Sequence, residues 1–149
     1  MKKFKFTLHA LLHLKESLEK QERNNLGAAT RRLNELMGER DDMLARRESA
    51  QQEYGEKLVS GMRALETQQF TAYFRMMKDM LEEQERRIAE AQAEVEACRK
   101  RLVEVLREIR MLENLKDKQY QEYLQEAQVE QDKLIGDFVS FQSKTKTGE

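Results

Sequence analysis

Phe74, Met77, Leu81, Gln84, Ile88, Ala91, Val95, Cys98, Leu102, Val105, Ile109 and Leu112 follow one another in alternating steps of three and four residues. A period of 3.5 residues keeps one stripe turned toward a partner helix, which is the seam of a left-handed coiled coil. Gln84 is the one polar residue in this run. The spacing continues through Gln119, Tyr123, Ala127, Leu134 and Phe138 with a more polar character. The chain has no proline, the residue that removes a backbone donor and clashes with the preceding turn, so very long helices are open to it. Charged residues make up 37% and hydrophobic ones 39%. That composition suits a narrow seam and is too lean for a thick core.

The first half repeats the pattern more loosely. Thr7 reads as an N-cap, with Phe6 placed to pack on Leu11 as a hydrophobic staple. Leu8, Leu11, Leu14, Leu18, Leu26, Ala29, Leu33, Leu36, Met43 and Leu44 then form a broad apolar stripe. Gly27 and Gly38 each cost about 1 kcal/mol within a helix, and they would suit a close approach of two helices. Between about Gly55 and Thr67 the pattern lapses; Ser60-Gly61 offers a helix stop and Thr67 a new N-cap. A short connection makes the neighbours antiparallel. The expected fold is all-α: a single-domain, long two-helix antiparallel coiled-coil hairpin. Its parts are helix 1 over 7–59, a turn over 60–67, helix 2 over 68–139 and a disordered tail over 140–149. At 1.5 Å per residue the arms measure about 80 and about 105 Å, so one end of the second helix outruns the first. On the second helix Glu82 with Arg86, Glu83 with Arg87 and Glu96 with Lys100 are supporting i,i+4 pairs.

Little chemistry is on offer. His9 and His13 share a helix face with Glu16, yet the H-E-x-x-H arrangement needs its Glu directly after the first His, where Ala10 stands. There are only two histidines, and no metal site is expected. Cys98 falls on the seam, where a thiol behaves as a small hydrophobe; a single cysteine forms no internal disulfide. No phosphate-cradling glycine loop is present, and two helices supply no dry concave site in which to tune a carboxylate. Neither a cofactor nor enzymatic activity is expected. The 27 basic residues against 28 acidic ones leave no basic stripe for nucleic acid. No stretch approaches the ~18 apolar residues of a membrane span. The opening Lys2-Lys3-Phe4-Lys5 lacks the cleavage pattern of a secretory signal, so a cytoplasmic protein is expected.

Two regions suit protein partners. Tyr54 precedes the turn, and Phe70, Tyr73, Phe74, Met76, Met77 and Met80 follow it; aromatics and Met are enriched at interface cores, and flexible Met adapts to varied partners. Tyr73, Met76 and Met80 lie off the seam. The other region is where the two termini meet, combining Phe4, Phe6 and Leu11-Leu12 with Tyr120, Tyr123, Leu134 and Phe138.

In order and spacing these residues resemble the FliJ family of bacterial flagellar export proteins. The resemblance rests on Phe4-Lys5-Phe6, Leu11-Leu12, Lys15-Glu16 and Glu19 at the start. Around the turn it rests on Ser60-Gly61-Met62, Phe70 and Tyr73-Phe74. Late in the chain Leu112, Leu115-Lys116-Asp117-Lys118, Tyr123 and Asp137-Phe138 carry it. It implies a stalk-like coiled coil, similar to the central stalk subunit of rotary ATPases, in the flagellar type III export apparatus. It further implies insertion into the hexameric export ATPase ring, contact with the cytoplasmic domain of the membrane export gate, and assistance to export chaperones. The implied location is peripheral, at the cytoplasmic face of the inner membrane at the flagellar basal body, with no membrane insertion. Matching positions for the gate contact are Tyr54, Tyr73, Met77, Met80 and Gln84; Arg47 and Ala50 stand where the family carries aromatics and leucines. On the ATPase side the residues are Phe4, Phe6, Leu11, Tyr123, Leu134 and Phe138. The alternatives are the equivalent stalk of a virulence (injectisome) secretion system and a generic coiled-coil scaffold.

Overall fold

In a computed structural model that describes residues 2–148, the chain is an all-α helical hairpin. Helix α1 spans His9–Ser60 and helix α2 spans Ala64–Thr147. Two compact units are distinguishable, one made of Gln21–Val103 around the turn and one made of Met1–Lys20 with Glu104–Glu149. Each has its own packing.

The turn is shorter than the sequence pattern suggests. α1 stops at Ser60, and Gly61 follows with φ at 101°, the left-handed conformation that glycine adopts just past a helix end without a Cβ penalty. Only Gly61, Met62 and Arg63 separate the helices, and α2 begins before Thr67. The Thr67 amide donates to the Arg63 carbonyl at 3.1 Å, so Arg63 accepts the first helical bond and Thr67 lies inside the helix. Its hydroxyl is 3.2 Å from the Met62 sulfur, and Glu66 supplies the acid that a helix N-terminus favours.

In the turn unit, Met77, Leu81, Gln84, Ile88, Ala91, Val95, Cys98 and Leu102 are all buried, in the register that the spacing predicts. The facing stripe of α1 is Glu22, Leu26, Ala29, Leu33, Leu36, Arg40, Met43, Arg47, Ala50, Tyr54 and Lys57, in unbroken steps of four and three. All of these are buried or half-buried. Four are charged and were not part of the expected apolar stripe, whereas Leu44 is exposed. Three of the four charges meet partners: Glu22 with Arg101 at 3.3 Å and Arg40 with Glu85 at 3.6 Å across the seam, and Lys57 with Glu53 at 3.5 Å along α1. Leu36, Ile88 and Ala91 form the buried cluster, with Leu33 and Met37 against it. Gly27 and Gly38 do not mark a close approach, since a Cβ at either would meet nothing within 4 Å.

In the other unit, Phe6, Leu12, Ile109 and Leu112 make the core, and Phe4, Val105 and Leu115 pack on it. The helix starts later than a Thr7 cap would place it. The Leu12 amide donates to the Leu8 carbonyl at 2.9 Å, and the His9 amide to Phe6 at 3.2 Å. This shift moves the staple one residue on: Phe6 packs with Leu12, which is 5% exposed, while Leu11 is 39% exposed. Leu8 and Leu14 also face outward. Lys15 reaches across to Glu108 as an ion pair. At the far end α2 continues to Thr147, so the stretch 140–147, expected to be a disordered tail, is helical. No glycine stands between Gly136 and Gly148, and the Ser143, Thr145 and Thr147 hydroxyls donate to carbonyls one turn back. Lys144 and Lys146 complement the negative helix end.

Candidate partner-binding surfaces

Near the turn, four rings pack together because Tyr54 faces Phe70 and Phe74 across the seam. Tyr54 lies 5.3 Å from Phe70 and 5.9 Å, edge-on, from Phe74, and Tyr73 meets Phe74 at 5.9 Å, also edge-on. Such pairs contribute about 0.5–1.5 kcal/mol each beyond their area. The Lys57 ammonium sits 5.5 Å from the centre of the Phe70 ring, a cation–π contact.

Beside this cluster runs a groove of about 650 Å³. Its α1 wall is low because Ala45, Ser49 and Ala50 are small; its α2 wall is the pair Phe70 and Tyr73. Arg46, Glu53, Lys57 and Glu66 provide charge along it. An apolar floor with a charged rim is the anatomy of a protein-binding surface.

The residues named for the gate side are not gathered on one surface. Tyr73 lines the groove and Tyr54 supports it from the aromatic cluster. Met77 and Gln84 are 3% and 1% exposed and belong to the seam, where they hold the two helices in register. Met80 is exposed and lies outside the residues that line the groove. Sequence reasoning passed over Ala45 and Ser49, and named Ala50 only as a departure from the family's aromatics and leucines; a patch of small residues one turn apart opposite the Phe70–Tyr73 pair was their signal.

The residues named for the ATPase side divide in two. Phe4 and Phe6 fasten the N-terminal segment to α2: Phe4 meets Tyr120 edge-on at 5.2 Å and Tyr123 at 5.6 Å, and the Tyr123 hydroxyl donates to the Lys2 carbonyl at 2.7 Å. Leu11 points to solvent. Leu134 and Phe138, 67% and 62% exposed, lie on the part of α2 beyond this fastening, where every residue from Gln128 to Gly148 is exposed. Ile135, Val139 and Phe141 share that exposure; Phe141 continues the face at i+7 from Leu134, after Phe138 at i+4, and Ile135 with Val139 one turn later widen it.

Charge pairs tune the surface locally. Arg86 bridges Glu83 and Glu90 rather than Glu82, and Arg87 meets Glu83 at 3.4 Å as the spacing predicts. The Arg86 hydrogen bond holds the Glu83 carboxyl below its usual range. Burial, and then its hydrogen bond to Glu94, push the Cys98 thiol up. His9 and His13 stack with centroids 6.5 Å apart, and His13 Nδ1 is 3.9 Å from Glu16. Among the described residues no group of three or more His, Cys, Asp or Glu could hold a metal ion. No helix among them is long and apolar enough to cross a membrane.

A family model described as the flagellar FliJ protein matches residues 4–148. No curated protein and no solved structure matches the chain.

Proposed function

The chain belongs to the flagellar FliJ protein family, whose members are flagellar export-related, and from that premise we propose that it is a stalk-like binding protein of the export apparatus with no catalytic step of its own. Its fastened N-terminal segment and the projecting apolar face of α2 enter the export ATPase ring. The groove beside Phe70 and Tyr73 receives the cytoplasmic domain of the membrane export gate, and export chaperones are handled in the same cycle. The protein works peripherally, at the cytoplasmic face of the inner membrane.

The observation that carries this reading is the uncovered stripe of Leu134, Ile135, Phe138, Val139 and Phe141. Large apolar patches on a soluble protein mark interaction sites, and a single projecting helix is the shape a ring can surround. Titration of the export ATPase with the chain, following ATP hydrolysis and ring assembly together, tests it. Stimulation with saturation is expected. Neither binding nor stimulation at any ratio would remove the ring-binding role.

A further inference from the structure

The apolar face of α2 beyond Tyr123 also carries information about pairing with itself. The internal seam does not end where α1's cover ends: Ala127, Gln131, Leu134, Phe138 and Phe141 continue in steps of four, three, four and three. A stripe with the same period as the hairpin's own interface is built to be covered by another helix. Ile135 and Val139 widen it on one side.

Charge then selects the occupant and its direction. The stretch before the stripe's centre is mostly acidic, with Glu122, Glu126, Glu130 and Asp132 against Lys133, and the stretch from Phe138 to Thr147 carries only Lys144 and Lys146 as charges. Place a second copy of this segment antiparallel, with Leu134 of each copy opposite Phe138 of the other. Gln131 then faces Phe141, and Glu130, which flanks the stripe, comes beside Lys144 of the other copy. By symmetry that ion pair forms twice, against a single like-charge contact where Asp137 meets Asp137 of the other copy at the two-fold axis. A parallel alignment sets Glu130 beside Ile135 and Asp137 beside Gln142, with no ion pair. The apolar side chains exposed on the two copies come to roughly 1,000 Å², near the lower bound for a specific interface.

We propose that two copies of the chain associate through this face, antiparallel, in a weak and reversible dimer. The pairing covers the same stripe that ring entry uses, so one occupant excludes the other. It nonetheless concerns the chain alone and does not depend on the ring-binding reading.

Sedimentation equilibrium of the full chain tests this without any partner. The apparent mass should rise from 17.7 kDa toward twice that value as concentration increases. Phe138→Asp should abolish the rise, with helicity by circular dichroism unchanged because Phe138 is exposed. Glu130→Lys and Lys144→Glu should each weaken association about fivefold or more, since each sets like charges together twice. An equimolar mixture of these two variants should associate like the unchanged chain, because both 130–144 pairs across the mixed dimer are again opposite in sign and the Asp137 contact is the same in both. A chain that stays at the monomer mass throughout overturns the proposal. So does association that survives Phe138→Asp, or a mixture no tighter than its components.

Discussion

The Gln84 side chain donates from Nε2 to the Leu36 backbone carbonyl at 2.8 Å and to Glu39 Oε2 at 3.0 Å, on the otherwise apolar α2 side of the seam. Gln84 and Leu36 are 1% and 2% exposed, so this is a buried polar bridge between the two helices. A single polar residue in a coiled-coil seam fixes register at a cost in stability.

Replacement by an apolar residue of similar reach should therefore not unfold the hairpin. Gln84→Leu is expected to melt no lower than the unchanged chain, whereas Gln84→Ala, which leaves both a cavity and an emptied polar position, should lose about 1–3 kcal/mol. Thermal melts followed by circular dichroism separate the two. Equal losses in both variants would mean that the hydrogen bonds, and not packing, dominate at this position.

Removal of apolar bulk on the other side of the bridge should cost more. Leu36→Ala deletes a side chain that packs with Ile88 and Ala91, and a loss of about 2–5 kcal/mol is expected. In a hairpin with so narrow a seam, that is a large share of a total that in most domains is about 5–15 kcal/mol. Urea denaturation measures it; a loss below 1 kcal/mol would mean that the seam collapses freely around the gap.

The two interior glycines of α1 predict the opposite sign. Neither Gly27 nor Gly38 approaches a neighbour, and a Cβ at either would meet nothing within 4 Å. Gly27→Ala and Gly38→Ala should each gain up to about 1 kcal/mol from helix propensity alone, and nearly additively because the sites are well separated. A fall in melting temperature for either would show a contact that the fold does not reveal.

These contrasts also explain what could be read in advance. The seam of α2 was legible because each of its positions tells its own story: all but Gln84 are apolar, and the period is visible in one helix alone. The seam of α1 was not, because Glu22, Arg40, Arg47 and Lys57 look like solvent-facing residues until the other helix is placed. Glu22 can be half-buried only because Arg101 lies opposite, and that pairing is non-local. The groove was hidden for a similar reason, since it arises from small side chains on one helix and rings on the other. The Phe6 staple failed by a single residue, which on a helix turns the side chain by about 100° and exchanges Leu11 for Leu12.

Cys98 gives a prediction in pH. Its buried thiol is pushed above the ordinary range near 9.0, so the folded state favours the neutral form. Stability from this group is fully present below pH 9.0 and is lost as pH rises through the higher folded value. Unfolding midpoints should therefore fall above pH 9.0, and less so in Cys98→Ala. The thiol should also react with an alkylating reagent at pH 8 far more slowly in the folded chain than in denaturant, since the thiolate is the nucleophile. Equal rates in the two conditions would place Cys98 outside the seam.

The groove near the turn allows the two proposed binding ends to be separated. Ser49 is exposed and lines the low α1 wall opposite Phe70 and Tyr73, so Ser49→Trp should fill the trough without entering the seam. The melting temperature should change little, because surface substitutions usually stay within about 0.5 kcal/mol. Binding to the cytoplasmic domain of the export gate should weaken at least tenfold, the size of effect expected when a central interface pocket is blocked. Tyr73→Ala should weaken it too by removing the other wall, whereas Phe138→Asp, which changes the exposed face of α2 beyond Tyr123, should leave gate binding intact and reduce ATPase stimulation. Isothermal titration with the gate domain and a hydrolysis assay with the ATPase read the two ends independently. If Ser49→Trp binds the gate as well as the unchanged chain does, the groove is not the gate-facing surface.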